Sequence, residues 1–356
     1  MSRKKICIIT GSRAEWGLFY PVAREIKARK DRFKLQIIAT GAHLSGDYGL
    51  TYKEIEKDGF KVDIKVKIPL PDDTEGSAIM SVSMAAAGIG EALETLRPDL
   101  VLLLGDRFET FAAAVASVFL KIPIAHIHGG EITQGSIDNT LRNAITKMAH
   151  FHFVAAETYK KRVIQMGEEP SRVFDVGALG LDNIKNSRLL SKKTFEKKAG
   201  IRLGRKNVLV TFNPATAEDK TSSEKQLKNL LEALDEMKDT RIIFTMPNPD
   251  MYSDAITGIV NAYVAKNPGK TVSFKSLGRV LYLSALQFMD IVIGNSSSGI
   301  IEAPSFRIPT VNIGSRQKGR IRAGSVLDAD GSEASIKRAV KRAFSGDFQN
   351  ACRPVK

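Results

Sequence analysis

Two cysteines among 356 residues are too few for a disulfide framework or a cysteine metal site, and Cys7 falls inside an apolar run while Cys352 lies in the tail. No apolar run reaches the roughly 18 residues that a membrane span requires. The stretch Ile6-Cys7-Ile8-Ile9 that follows Met1–Lys5 is too short for the core of a signal peptide, so a cytoplasmic location without a membrane partner is expected. Internal repeats and low-complexity segments are also lacking. The charge is one-sided, 53 Lys and Arg against 39 Asp and Glu for a net +14, but it is scattered over helix-like stretches such as Glu25–Lys30 and Lys337–Arg342. Without aromatic interleaving or a nucleic-acid module, this pattern reads as a solvated surface and no nucleic-acid partner is expected. A basic cleft for a small anion is compatible with it.

What is present is the composition of an ordinary globular protein, 43% hydrophobic and 26% charged, in a chain long enough for two cores. Short β-branched runs alternate with helical periods, the pattern of parallel βαβ units. The runs are Ile6–Ile9, Leu35–Thr40, Leu100–Leu104, Ile122–His126, Phe151–Ala155 and Val173–Val176, then Asn207–Phe212, Arg241–Thr245, Val272–Phe274, Ile291–Ile293 and Thr310–Ile313. Most are apolar on both faces, as in sheets covered by helices on each side. The Lys- and Ser-rich segment Asn183–Arg205 reads as a helical linker. We therefore expect an α/β fold with two doubly wound, Rossmann-like domains, residues 1–185 and 186–356, and a ligand cleft between them. The helix expected over Glu333–Phe344 is a candidate for packing back on the first domain.

Ligands of such sheets gather at the carboxyl ends of the strands, which directs attention to the loops. Thr10-Gly11-Ser12-Arg13 lets the chain turn from strand to helix and offers Arg13 to a phosphate or to a surface carboxylate; the full dinucleotide fingerprint is missing, which argues against nicotinamide and flavin. After Val101–Leu104 comes Gly105-Asp106-Arg107-Phe108-Glu109, where Asp106 suits either catalysis or a helix N-cap. His126-Ile127-His128-Gly129-Gly130-Glu131 and Asp138 follow the next strand. Asp106, Glu131 and Asp138 thus share one sheet edge, where partial burial and like charge suit carboxyl groups to proton transfer. His126 and His128 lack zinc spacing and read as hydrogen-bonded or packed side chains.

In the second half, Ile291–Ile293 runs into Gly294-Asn295-Ser296-Ser297-Ser298-Gly299 and a helix-like stretch bearing Glu302. Free N–H groups and serine hydroxyls at such a turn accept a phosphate, although a serine-capped helix needs no ligand. Glu302 is placed to accept from ribose hydroxyls. Arg316 and Arg320 follow the strand Thr310–Ile313 as further anion contacts or as solvated cations, and Phe274–Leu283 is open to a role around a base or to packing.

Several motifs in order, Gly11–Glu15, Thr40–Ser45, Gly105–Glu109, His128–Glu131, Ala144–Lys147, Gly294–Gly299 and Asn312–Arg320, give the chain a resemblance to the hydrolysing UDP-N-acetylglucosamine 2-epimerases of sialic and related nonulosonic acid synthesis. The resemblance spans nearly the whole chain. It implies two Rossmann-like domains akin to the B-type glycosyltransferases, a UDP-sugar substrate, no cofactor or metal, and a homodimer or homotetramer. It also implies that Arg13, Ser297, Ser298, Gly299, Glu302 and Arg316 hold UDP, with Asp106, Glu131, Asp138, Arg107 and Asn213 at the chemistry.

The chain departs from the pattern at Asn143 and Asn213, where relatives commonly carry histidine, and at Asn139, where a carboxylate is often found. Asparagine orients a substrate or a water but does not titrate near neutral pH. Two other functions therefore stand beside the epimerase: a sugar-nucleotide-binding protein with reduced turnover, and a B-type glycosyltransferase using the same donor.

Overall fold

The computed structural model describes residues 3–352 except 73, 219, 248 and 249. The chain divides into two compact units, Met1–Glu131 with Asp138–Asn183, and Ile132–Ile137 with Ile184–Lys356. The division assigns the six residues between Glu131 and Asp138 to the second unit. Their contacts there include Gln134 N donating to Lys318 O and Gly135 seated against Ser315. Those bonds join residues nearly two hundred positions apart, which sequence periodicity does not encode.

The first unit is built on β1 (Lys4–Thr10), β2 (Phe33–Thr40), β3 (Ile64–Val66), β4 (Leu100–Leu104), β5 (Ile124–Ile127), β6 (Phe151–Val154) and β7 (Val173–Asp175), all parallel, in the order β3-β2-β1-β4-β5-β6-β7. Side chains alternate between two cores. Cys7, Ile9 and Ile38 face the helices Glu75–Leu96 and Phe108–Phe119, whereas Ile8, Ile37, Leu102 and Leu104 face Trp16 and Phe19 of the helix Arg13–Ala28. Burial of each such side chain contributes roughly 1.5–3 kcal/mol. Burial also pushes the Cys7 thiol far up, consistent with an inert packing role.

The second unit repeats the plan with β8 (Lys206–Thr211), β9 (Thr240–Thr245), β10 (Thr271–Phe274), β11 (Ile291–Gly294), β12 (Thr310–Ile313) and β13 (Val326–Ala329), again all parallel, in the order β10-β9-β8-β11-β12-β13. The expected linker is helical, but its helix Lys192–Ala199 inserts Phe195 into this unit's core against Phe288. The helix Glu333–Ala343 buries Ile336, Ala339, Val340 and Ala343 within the second unit, on the helix Lys220–Asp235 and β12.

Two strands were not anticipated, β3 and β13. Both are short edge strands, Ile-Lys-Val and Val-Leu-Asp-Ala, with one covered neighbour each, so neither carries the continuous apolar signature of a central parallel strand. The expectation about apolar runs also needs correction: the helix Glu75–Leu96 is 22 residues long and, by length and composition, apolar enough to cross a membrane. Its Ala85, Ile89, Ala92 and Leu93 belong to the core of the first unit.

In each sheet the strand order reverses once, between β1 and β4 and between β8 and β11. Loops leaving adjacent strands in opposite directions open a crevice at that point, the usual ligand position of such sheets.

Candidate functional site

At the switch point of the first sheet, charged side chains are packed under the loops. Arg107 presents Nε and Nη2 to the Glu109 carboxylate at 3.1 and 3.2 Å, and both side chains are largely withdrawn from water. Glu109 fills the space beside Gly11 and Gly41: a Cβ at either would lie 2.9 or 2.5 Å from its carboxylate. A second buried acid, Glu15, accepts from Gly11 N at 2.5 Å and from the hydroxyls of Thr10 and Thr110 at 3.1 and 3.3 Å. Burial is the main cause that pushes its carboxyl up to about 7; the Gly11 N–H opposes the shift and the charge of Glu109 adds to it. His43, between Thr10 and Thr51 at 3.2 and 2.9 Å, is driven down to about 4 by burial.

Of the three expected acids, Asp106 follows β4, Glu131 follows β5 and Asp138 is the first residue of the helix Asp138–Met148. Asp106 is not a helix cap. The cap position of Phe108–Phe119 is Arg107, without a side-chain bond, and Asp106 instead forms an ion pair with Arg142. Arg142 also donates from Nη1 to the Glu131 carbonyl at 3.0 Å. The Glu131 carboxylate lies 2.5 Å from His128 Nδ1. His128 has a left-handed backbone, φ 66°, tolerated because the turn is held around it: His128 N donates to Phe153 O, and Arg162 donates to Gly130 O. His126 rests its two nitrogens 2.7 Å from Gly105 O and 3.2 Å from Thr146 Oγ1, and burial lowers it to about 4. Both histidines are hydrogen-bonded, as the motif suggested.

Arg13 opens its helix behind the Ser12 cap and stands 3.7 Å from the Glu54 carboxylate at a partly exposed position. Its expected bland partner is thus present, in a long, solvent-screened pair of little energetic weight.

At the switch point of the second sheet amides and hydroxyls predominate, joined by the Arg316 guanidinium. Gly294 has φ 134°, and a Cβ there would lie 2.0 Å from Thr211 O, so only glycine fits where β11 passes β8. Asn295 is buried and its side chain clamps the neighbouring loop, accepting from Asn213 N and donating to Asn213 O, each at 2.7 Å. Its carbonyl accepts from Arg316 Nη1 at 3.2 Å and Gln317 Nε2 at 2.9 Å. Asn213, expected with the acids, lies here in the second unit, and Asn143 is half-buried in the helix Asp138–Met148 of the first.

Ser296 caps a single helical turn, Ser297–Ile301, by accepting from Ser298 N at 3.3 Å. One turn is too short for an appreciable macrodipole, and Ser298 N and Gly299 N already donate to Ser296, so the serine hydroxyls and the turn's other N–H groups carry the anion-binding case more than the dipole does. Gly299 lets the turn lie against Thr310, which donates to its carbonyl at 2.9 Å. Tyr282 donates to Ser298 Oγ at 2.6 Å, and Ser298 in turn is hydrogen-bonded to Glu302. Burial raises Glu302 above the usual carboxylate range, with the Ser298 bond opposing it, and burial also pushes the Tyr282 phenol up.

Arg142, Glu15, Glu109, His43 and Tyr282 had no assigned role in the sequence. The sequence offers only the i, i+3, i+4 row of Arg142, Ile145 and Thr146; the structure shows that row wholly buried, where a charge needs a partner.

The family model described as UDP-N-acetylglucosamine 2-epimerase matches residues 24–355. The GDP/UDP-N,N'-diacetylbacillosamine 2-epimerase (hydrolyzing) of Campylobacter jejuni is 44% identical over 349 residues, covering 98% of this chain and 90% of the relative. The UDP-N,N'-diacetylbacillosamine 2-epimerase (hydrolyzing) of Legionella pneumophila is 36% identical over 342 residues, covering 96% and 89%. A solved structure of UDP-GlcNAc 2-epimerase from Neisseria meningitidis bound to UDP-GlcNAc is similar with a TM-score of 0.79 at 17% identity, over 99% of this chain and 95% of that one, a likeness of fold.

Proposed function

Because the chain belongs to the UDP-N-acetylglucosamine 2-epimerase family, we propose that it is a hydrolysing 2-epimerase, turning a UDP-2-acetamido sugar and water into the free 2-epimerised sugar and UDP. The observation that carries this reading is the 44% identity over 98% of the chain to an enzyme named for that reaction. The same relative and the one from Legionella favour UDP-N,N'-diacetylbacillosamine as substrate, with UDP-N-acetylglucosamine the second candidate.

In this reading a carboxylate among Asp106, Glu131 and Asp138 removes the C2 proton while the C1–O bond breaks and its electrons leave on UDP. A glycal-type intermediate results. A second acid returns a proton to C2 from the opposite face, and water adds at C1 as hydroxyl, its other proton passing to the carboxylate that acid has become. Ser297, Ser298 and the N–H groups of the turn hold the diphosphate, Glu302 takes the ribose, and Arg13, Arg107 and Arg316 offset the charge of departing UDP. Asn213 orients rather than titrates. The reaction as written needs neither a metal nor a nicotinamide.

The site is proposed to work in the cytoplasm, a compartment that suits two free thiols. A homodimer is supported by the apolar side chains Ile79, Met80, Met84, Val118 and Phe119, exposed on two helices that pack together.

Incubation with each UDP-sugar in D2O tests the proposal: free 2-epimerised sugar, UDP and deuterium at C2 are expected without any acceptor. A UDP-linked product would indicate a non-hydrolysing epimerase, a requirement for acceptor a glycosyltransferase, and UDP binding without exchange or hydrolysis a binding protein.

A further inference from the structure

Arg142 is only 1% exposed and leads the largest fully buried side chains among the described residues. A guanidinium does not enter a core for packing alone, because its desolvation costs several kcal/mol and an apolar side chain of similar volume avoids it. What it holds explains its presence. Its Nη2 is paired with the Asp106 carboxylate on the loop after β4, and its Nη1 donates to the Glu131 carbonyl on the loop after β5. It stands on the helix whose first residue is Asp138, one turn away at i+4. Beneath it, Thr146 Oγ1 donates to the Arg142 carbonyl at 2.9 Å and lies 3.2 Å from His126 Nδ1, while His126 Nε2 lies 2.7 Å from Gly105 O.

We propose that Arg142 is a positioning residue for the reaction, one rigid fork that sets the mutual placement of Asp106, Glu131 and Asp138 without touching the substrate. The inference rests on the epimerase reading. Lysine keeps the charge but has no planar fork with which to meet a carboxylate and a carbonyl on two loops at fixed separation. A proton abstracted at C2 and a proton returned on the other face require acids held relative to one another more tightly than flexible loops allow. Misplacement by about 1 Å costs about 100-fold in rate.

The experiment compares wild type, Arg142→Lys and Arg142→Ala, counting folded molecules by UDP titration. Expected is a kcat lowered by about 100-fold in both variants, with KM and UDP affinity within about 3-fold of wild type. Methylguanidinium added to Arg142→Ala should restore at least about ten-fold of the lost kcat, and none in Asp106→Asn, where the anchored carboxylate itself is gone. Wild-type kcat per UDP-binding molecule in Arg142→Lys overturns the inference, as does a failure of methylguanidinium to raise kcat in folded Arg142→Ala. If the alanine variant does not fold, the lysine variant alone decides. Absence of turnover in the wild type, read first in the same assay, sinks the proposed function instead.

Discussion

The two switch points of this chain solve the same topological problem with opposite chemistry. At β1 and β4 stand charged and titratable groups that are buried or half-buried: Arg107 with Glu109, Arg142 with Asp106, and Glu15 held by a backbone N–H and two threonines. At β8 and β11 stand a glycine, asparagine amides and serine hydroxyls, with the Arg316 cation bonded among them. Under the proposed function the contrast amounts to a division of labour. Recognition of a fixed anion needs donors that are present at all times, which amides and hydroxyls supply without titrating. Proton transfer needs groups whose charge changes, and these must be surrounded by counter-charges and donors to remain poised inside a low-dielectric fold.

Each half of the comparison can be broken separately. The largest effect is expected at Gly294. A Cβ there would lie 2.0 Å from Thr211 O, and with a φ of 134° this makes Gly294→Ala destabilising by more than about 3 kcal/mol, with loss of UDP binding, measured by thermal melting and calorimetric titration. A variant that melts and binds UDP like wild type would mean the close approach of β11 and β8 is not needed.

The second test concerns the ionic crevice. Glu15 titrates at about 7 in the folded chain against 4.5 for an unperturbed carboxyl. A raised pKa means that its contribution to stability is fully present below pH 4.5 and is lost as pH rises through 7. Glu15→Gln should therefore gain stability relative to wild type between those pH values, by on the order of 3 kcal/mol, read from denaturant midpoints across the range. His43 and His126, lowered to about 4, act in the other direction: their contribution is present above 6.5 and lost as pH falls through 4. Both are common to variant and parent and cancel in the difference, so a flat difference would show that Glu15 is ionised throughout.

The smallest effect is sought at the second switch point. Tyr282→Phe removes the donor that orients Ser298 Oγ and should weaken UDP binding by about 1 kcal/mol, roughly five-fold, with no change in the pH dependence of stability. Equal affinity for UDP would make that hydrogen bond ornamental to binding.

The parallel strands β1, β4, β8 and β11 were legible because runs such as Val101–Leu104 and Ile291–Ile293 are apolar on both faces, which few other structures allow. The same rule hid β3 and β13, whose edge positions permit lysine and aspartate. Asp106, Glu131 and the Gly294–Gly299 turn were legible as candidates because they follow strand ends, where such folds bind ligands. Arg142 was not, since a cation one turn into an amphipathic helix looks like any solvated arginine until its burial is known. Asp106 taken alone reads first as a helix cap, and only the structure, with Arg107 at the cap position and the Asp106 carboxylate on Arg142, sets that reading aside.

The sequence by itself determined the α/β class, most strands and the loops that bear chemistry, because these depend on local period and on the chemistry of short motifs. Tertiary structure alone decided which side chains share a charge. It placed Glu15 beside Glu109, drew Asp106 to Arg142 across thirty-six positions, set Asn295 around Asn213 and assigned residues 132–137 to the second unit. Those pairings depend on distances and desolvation, which arise only when strands far apart in the chain are laid side by side.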